Sequence, residues 1–339
     1  MSLPASAYTP FASDMNICRV LNGLWQVSGG HGAIAPQKAI PEMLAYHDAG
    51  FTTWDLADHY GPAEDFIGQF RKLLLKERGI EAVKEMLAFT KWVPHPRRVS
   101  RESVEEAINI SLKRMQVEQL DLLQFHWWDY DLPYYMDALG YLSDLQKAEK
   151  IRHLALTNFD TEHLQEITKA GIKIVSNQVQ FSLVDRRPEL KMIPFCQQHG
   201  ITLLTYGTYC GGLLSEKYLG LDEPTRHQLD TASLRKYTDM IRMWGGWRKF
   251  QALLTTLKQI GDKHGVSIAN VAVRYILDQL AVAGVIAGTR LGIAEHRVDN
   301  ARVFEFSLDD SDRQAIEAVT PNRQGLMDYI GDCGDEYRQ

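Results

Sequence analysis

Short apolar runs alternate along the chain with longer stretches in which apolar residues recur every three or four positions. Eight runs have the length and content of buried strands: residues 20–25, 51–55, 86–91, 120–126, 151–157, 174–178, 202–206 and 282–287. Helical stretches lie between them. Ser100 is placed to cap one, although Ser100 to Ser103 falls short of a full capping box, and Val104, Ala107, Ile108, Ser111, Leu112 and Met115 follow on one face. Asp160 and Thr161 open another that Gly171 closes, and Pro188 opens a third that ends at Gly200. A helix between successive buried strands implies right-handed crossovers and a parallel sheet. Eight such units predict an α/β fold, a (β/α)8 TIM barrel spanning residues 1–339 as one domain, with its core at about 20–318.

One interval breaks the rhythm. About 75 residues separate Tyr206 from Val282, where roughly 30 complete a strand–helix unit. Two helices are expected near 247–261 and 267–279, and the rest, with its several glycines, reads as a long loop after strand seven. A further helix is expected to begin near Ala294. The stretch 321–339 is irregular and is expected to fold over the same end of the barrel, the end at which such folds carry their sites.

Composition narrows the classes. Hydrophobic residues make up 45% and charged residues 24%, so the chain has an ordinary globular content. The net charge of −6 and the lack of a basic stripe argue against a nucleic-acid partner. No apolar run approaches the ~20 residues that span a bilayer, and the N-terminus lacks the pattern of a secretory signal. Cys18, Cys196, Cys210 and Cys333 are far apart and read as reduced thiols of a cytoplasmic protein, and a barrel with one large extra loop is expected to be monomeric. There is no G-x-G-x-x-G after the first strand, no phosphate loop of the G-x-x-x-x-G-K type, no H-E-x-x-H and no G-x-S-x-G, and no metal is expected.

Candidate chemistry collects at the strand ends. Strand two ends at Asp55, with Tyr60 just beyond; strand three ends at Lys91 and strand four at His126. Each has an ordinary structural explanation alone. At adjacent strand ends they form a proton-transfer unit: Lys91 supplies a cation that eases proton loss from the Tyr60 phenol, Asp55 holds Lys91 charged, and His126 hydrogen-bonds a carbonyl oxygen beside the Tyr60 hydroxyl. Such a unit lacks only a hydride donor.

The stretch Asp55-x-Ala57-x-x-Tyr60-Gly61 with Glu64 behind it, Lys91, and His126-Trp127 resemble the signature of the aldo-keto reductase family in order and setting, over most of the chain from Leu21 to about Phe304. The resemblance implies a (β/α)8 barrel that binds NADPH, or less often NADH, in extended form. It implies Tyr60 as general acid, Lys91 and Asp55 as its tuners and His126 as the carbonyl-orienting residue. Gly23-Leu24-Trp25 is similar to the family's Gly-Thr-Trp, which places Leu24, Trp25 and Asp55 beside the cofactor. Thr157-Asn158-Phe159 is similar to its Ser-Asn-Phe, so Thr157, Asn158 and Gln178 are implied at the nicotinamide carboxamide and Tyr206 against the ring. Gly207, Thr208, Tyr209, Gly212, Leu213 and Lys217 correspond to the pyrophosphate loop. Gly288, Thr289, Arg290, His296 and Asn300 correspond to the adenosine end, where Arg290 favours NADPH over NADH, with Arg297 as its substitute.

Trp25, His59, Trp92 and Trp127 are expected to wall the substrate pocket, with Trp128 and Trp244 or Trp247 as further aromatic groups. That rim favours an apolar or planar carbonyl compound or alcohol. Two other readings stay open: a nucleotide-sensing regulatory subunit of the same fold, and a lyase or isomerase using Lys91 as a Schiff base.

Overall fold

The computed structural model describes residues 3–29, 34–321 and 323–338. Among the described residues there are ten strands: β1 (Tyr8–Ala12), β2 (Met15–Cys18), β3 (Val20–Gly23), β4 (Thr53–Asp55), β5 (Leu87–Trp92), β6 (Leu120–His126), β7 (Ile151–Thr157), β8 (Ser176–Gln180), β9 (Thr202–Tyr206) and β10 (Val282–Gly288). The last eight close a barrel in the order β10-β3-β4-β5-β6-β7-β8-β9, and every neighbouring pair is parallel. The expected (β/α)8 architecture is therefore the observed one. Three of the eight expected strands keep their predicted limits, and the others shift by a residue or two at an end.

The chain also forms a hairpin that the sequence pattern did not announce. β1 and β2 pair antiparallel, and Phe11, Met15 and Ile17 enter the lower end of the barrel among Leu21, Leu87, Phe89, Leu122, Ala155, Leu204 and Ile286. Phe11 stacks on Phe89 with ring centroids 5.5 Å apart. The remaining apolar side chains form one larger cluster between barrel and helices. Helices approach closely where a glycine permits: a Cβ on Gly68, in the helix Ala63–Arg78, would stand 2.2 Å from the Arg114 carbonyl oxygen of the helix Arg101–Met115.

Local capping is stronger than expected at one point. Ser100 and Ser103 do form a reciprocal capping box, because the serine hydroxyl at the third helical position accepts from the Ser100 amide at 3.1 Å as a glutamate would. The helix opened by Pro188 is instead a single turn, Arg187–Glu189, followed by the helix Met192–His199. The expected loop after β9 contains the helix Ala232–Trp244, capped by Thr231. The helix expected near Ala294 starts at Arg297, after a turn bridged between Arg290 and Ala294. The tail is less irregular than expected, with a helix at Gly325–Ile330 and a turn at Asp335–Tyr337. No helix among the described residues is long and apolar enough to cross a membrane.

Candidate active site

Alternation along the strands selects which side chains meet at the upper end. In β5, Leu87, Phe89 and Lys91 share a face, and in β6 so do Leu122, Gln124 and His126. The lower members pack on the hairpin and the upper ones are polar. Lys91 Nζ donates to Asp55 Oδ1 at 2.6 Å and to the Leu56 carbonyl oxygen at 3.0 Å. The other Asp55 oxygen, Oδ2, accepts from Gln124 Nε2 at 2.9 Å and from Gln178 Nε2 at 2.7 Å. Gln178 Nε2 also donates to Gln124 Oε1 at 2.7 Å. A buried ion pair is tolerable only when its remaining lone pairs and protons are satisfied, and these amides do that for Asp55. Gln124 was missed in the sequence, although its place between Leu122 and His126 on an inward face was a usable signal.

The segment after β4 folds back over β5, through Leu56 N to the Phe89 oxygen at 2.9 Å and Asp58 N to the Lys91 oxygen at 3.0 Å. This sets the Tyr60 ring over Lys91, whose Nζ lies 5.1 Å from the ring centroid. Trp25 and His59 stand edge-on or tilted to Tyr60 at centroid distances of 4.9 and 4.8 Å. His126 is buried, and its Nε2 has no hydrogen-bond partner. The structure thus brings Asp55, Tyr60, Lys91 and His126 to one rim.

The electrostatics differ from the expectation in one respect. Burial pushes the Tyr60 phenol well above its ordinary pKa, and Asp55, Tyr337 and Asp58 push the same way. Desolvation is the largest of these effects, so the phenol keeps its proton. Burial also lowers the Lys91 ammonium, against the pull of Asp55. His126 is pushed down to about 3 by burial first and then by the charges of Arg338, His59 and Lys91, so its imidazole is neutral near pH 7.

The expected dinucleotide residues follow the rim from β7 round to β3. Thr157 Oγ1 is buried without a partner. Asn158 adopts a left-handed backbone with φ of 56° and accepts from the Tyr206 hydroxyl at 2.8 Å. The Gln178 amide nitrogen is spent inside the network, which leaves its oxygen for an incoming donor. Gly207 has φ of +74° and a Cβ there would meet the Tyr237 hydroxyl oxygen at 2.4 Å, whereas Gly212, φ +98°, faces open space. The side chains of Leu24, Thr208, Leu213 and Thr289 are buried; Thr208 and Thr289 donate to the carbonyl oxygens of Phe181 and Gly23 at 2.9 and 2.8 Å. What these four offer a ligand is backbone. Tyr209 donates to Asn300 at 3.4 Å. Lys217, Gly288, Arg290 and His296 are exposed. Arg297 is already held by Glu295 at 2.8 Å. A hydroxyl and an imidazole nitrogen without partners among the described residues at one end, an open glycine turn between and an exposed arginine at the other fit an extended nicotinamide dinucleotide.

Four of the expected aromatic groups are taken up by packing. Trp127 is fully buried and its indole nitrogen donates to the Asp129 and Leu132 carbonyls at 2.6 and 2.9 Å, so it is core rather than rim. Trp92 is buried against Phe125. Trp244 and Trp247 pack within the helices after β9, on Lys249 and on Phe250 and Tyr218. Trp128 instead stacks near His126, at a centroid distance of 4.2 Å. Trp25 and His59 remain at the exposed rim. The tail folds over this end of the barrel as expected, and it brings a residue that the sequence reading did not single out: Tyr337 packs on both His126 and Trp128, at 6.1 and 5.8 Å between centroids. Arg338 holds the tail by donating to the carbonyls of Trp127 and Asn158 at 2.8 and 2.7 Å.

Residues 19–321 match the model of the Aldo/keto reductase family. The NADH-specific methylglyoxal reductase of Escherichia coli is 24% identical over 91% of this chain and 97% of its own. Flagellar radial spoke protein 5 of Chlamydomonas reinhardtii is 34% identical over 182 residues, a match that takes in 48% of this chain and only 34% of that protein. The structure of the glycerol dehydrogenase of Gluconobacter oxydans superposes with a TM-score of 0.77 at 23% identity, covering 97% of this chain and 98% of that one.

Proposed function

The chain belongs to the aldo/keto reductase family, and from that premise we propose that it reduces an aldehyde or ketone, or oxidises the matching alcohol, with Tyr60 as the general acid. The observation that carries this is the pairing of a protonated, desolvated Tyr60 with a neutral His126 whose Nε2 has no partner, above the buried Lys91–Asp55 pair. Each keeps hydrogen-bonding capacity that a substrate carbonyl oxygen would use. Trp25, Asp55, Thr157, Asn158, Gln178, Tyr206, Gly212 and Arg290, with the backbone of Leu24, Gly207, Thr208, Leu213 and Thr289, would hold a nicotinamide dinucleotide, which supplies the hydride when bound.

As negative charge develops on the carbonyl oxygen, His126 and Tyr60 hydrogen-bond it, and Tyr60 gives up its proton to the alkoxide. The phenolate left behind is offset by the Lys91 ammonium beneath its ring. Asp55 keeps Lys91 charged and in place, and this also opposes the Schiff-base reading, which needs a neutral lysine. The exposed Arg290 supports NADPH over NADH, because a guanidinium recognises a phosphate in two-pronged fashion.

The test is a titration with NADPH and NADH followed by tryptophan fluorescence, on the wild type and on Arg290→Ala, with turnover against a panel of aldehydes. Tighter NADPH binding, lost in Arg290→Ala while NADH binding is kept, supports the assignment. Binding of neither nucleotide removes the reductase reading.

A further inference from the structure

Beyond the four residues of the proton-transfer unit, a second lysine and tyrosine meet at the same mouth. Lys236, on the helix Ala232–Trp244, donates from Nζ to the Tyr337 hydroxyl oxygen at 2.6 Å. The ammonium is ringed by aromatic faces, 4.4 Å from the Tyr337 centroid, 5.4 Å from that of Tyr206 and 5.6 Å from that of Tyr237. Among the described residues, no carboxylate lies within ion-pair distance of Lys236. The neighbouring carboxylate, Glu336, is turned to the buried Arg187 at 3.0 Å, and its other oxygen lies 3.3 Å from the Tyr206 hydroxyl.

Lysine is a donor only, so the Tyr337 oxygen accepts from it and the phenolic proton is left for another acceptor. Tyr206 lies 3.2 Å from the same oxygen, and with its own proton given to Asn158 at 2.8 Å its oxygen is the resident acceptor, which a carboxylate would outcompete. The Tyr337 ring packs against His126, the residue placed at the carbonyl. A half-buried cation with no ion-pair partner among the described residues, and a phenol whose proton rests only on another hydroxyl, therefore stand one aromatic ring away from the reacting group. Arg338, His59 and Lys91 add positive charge on the His126 side of this pair, and Glu336 adds negative charge on the Tyr206 side.

We propose that Lys236 and Tyr337 form an anion-selecting subsite, and that the substrate is a carbonyl compound bearing a carboxylate several bonds from the carbonyl. The proposal rests on the reading of Tyr60 and His126 as the carbonyl site. The Tyr337 hydroxyl and the Lys236 ammonium take the carboxylate, while the planar body lies along the aromatic rim that Trp128 and Tyr337 form beside His126. The aromatic rim thus accommodates a planar body, but the end that gives specificity is charged rather than apolar.

The probes are 4-formylbenzoate and its neutral methyl ester, with terephthalate and terephthalamide as unreactive analogues. A charge-assisted hydrogen bond of ordinary strength makes kcat/KM for 4-formylbenzoate about 10- to 100-fold above that for the ester. Tryptophan quenching should show the same preference for terephthalate over terephthalamide. Lys236→Met should abolish both preferences and leave the ester within about threefold of wild type, and Lys236→Arg should retain most of them. Equal treatment of charged and neutral probes by the wild type overturns the subsite, and so does an equal loss on both probes in Lys236→Met and Lys236→Gln. A binding preference without turnover of either aldehyde upholds the subsite and defeats the reductase reading, so the two failures are separable.

Discussion

Along β5, Leu87 and Phe89 face the hairpin that closes one end of the barrel, and Lys91, two residues on, faces Asp55 at the other. β6 repeats the change from Leu122 to Gln124 and His126. The lower end is filled by side chains that need nothing but one another. The upper end holds an ion pair, two amides, a phenol and an imidazole, each costly to bury and each tolerable only while its partners stay in place. One fold therefore separates what holds it together from what acts on a ligand by a step of two residues along a strand. The Lys91–Asp55 pair is where the separation is incomplete, because it serves both.

The largest expected effect breaks the separation at that pair. Asp55→Asn leaves Lys91 buried with its main countercharge gone, which should cost about 3–5 kcal/mol in urea denaturation and remove most turnover. Replacing both partners, Asp55→Leu with Lys91→Met, should recover much of the stability and none of the activity. Phe89→Ala probes the other end. It should cost about 3–5 kcal/mol by the same measurement while kcat and KM at temperatures below unfolding stay within about threefold.

How much of this was legible in the sequence follows the same division. Strand alternation and the eightfold rhythm are local properties, so the barrel and the convergence of Asp55, Tyr60, Lys91 and His126 could be read from them. The hairpin could not, because β1 and β2 are short, are interrupted by Pro10 and bury Phe11, Met15 and Ile17 only through contacts distant in sequence. The helix Ala232–Trp244 was hidden by its glycine-rich flanks, although Thr231 as a cap and the spacing of Leu234, Tyr237, Ile241 and Trp244 were there to be used. The tail carries no period at all. Tyr337 reaches the mouth because Arg187, fully buried, ties Glu336 and the Asp332 carbonyl to Asp185, a purely tertiary arrangement. Trp127 misleads for the opposite reason: it follows His126 directly, and alternation sends the next residue to the other side of the strand.

A smaller effect sharpens the account of the upper end. The His126 pKa of about 3 lies below the ordinary value near 6.5, so the unfolded chain takes up the proton first. The resulting stability is complete above about pH 6.5 and is lost as the pH falls toward 3, at no more than about 1.4 kcal/mol per pH unit. Urea midpoints between pH 7 and 4 should fall less steeply in His126→Gln than in the wild type. The smallest effect concerns the exposed Lys217: Lys217→Ala should weaken NADPH binding by no more than about fivefold, as suits a solvent-screened contact, with stability unchanged.

The most direct test is the turnover of Tyr60→Phe with a carbonyl substrate, measured beside its affinity for the nucleotide and its urea midpoint. The account predicts a fall in kcat of about 10²–10⁴-fold, with nucleotide affinity within about threefold and the midpoint unmoved. Carbonyl reduction within about threefold of wild type would contradict it, because the upper end of the barrel would then be doing its chemistry without the proton that Tyr60 is held there to give.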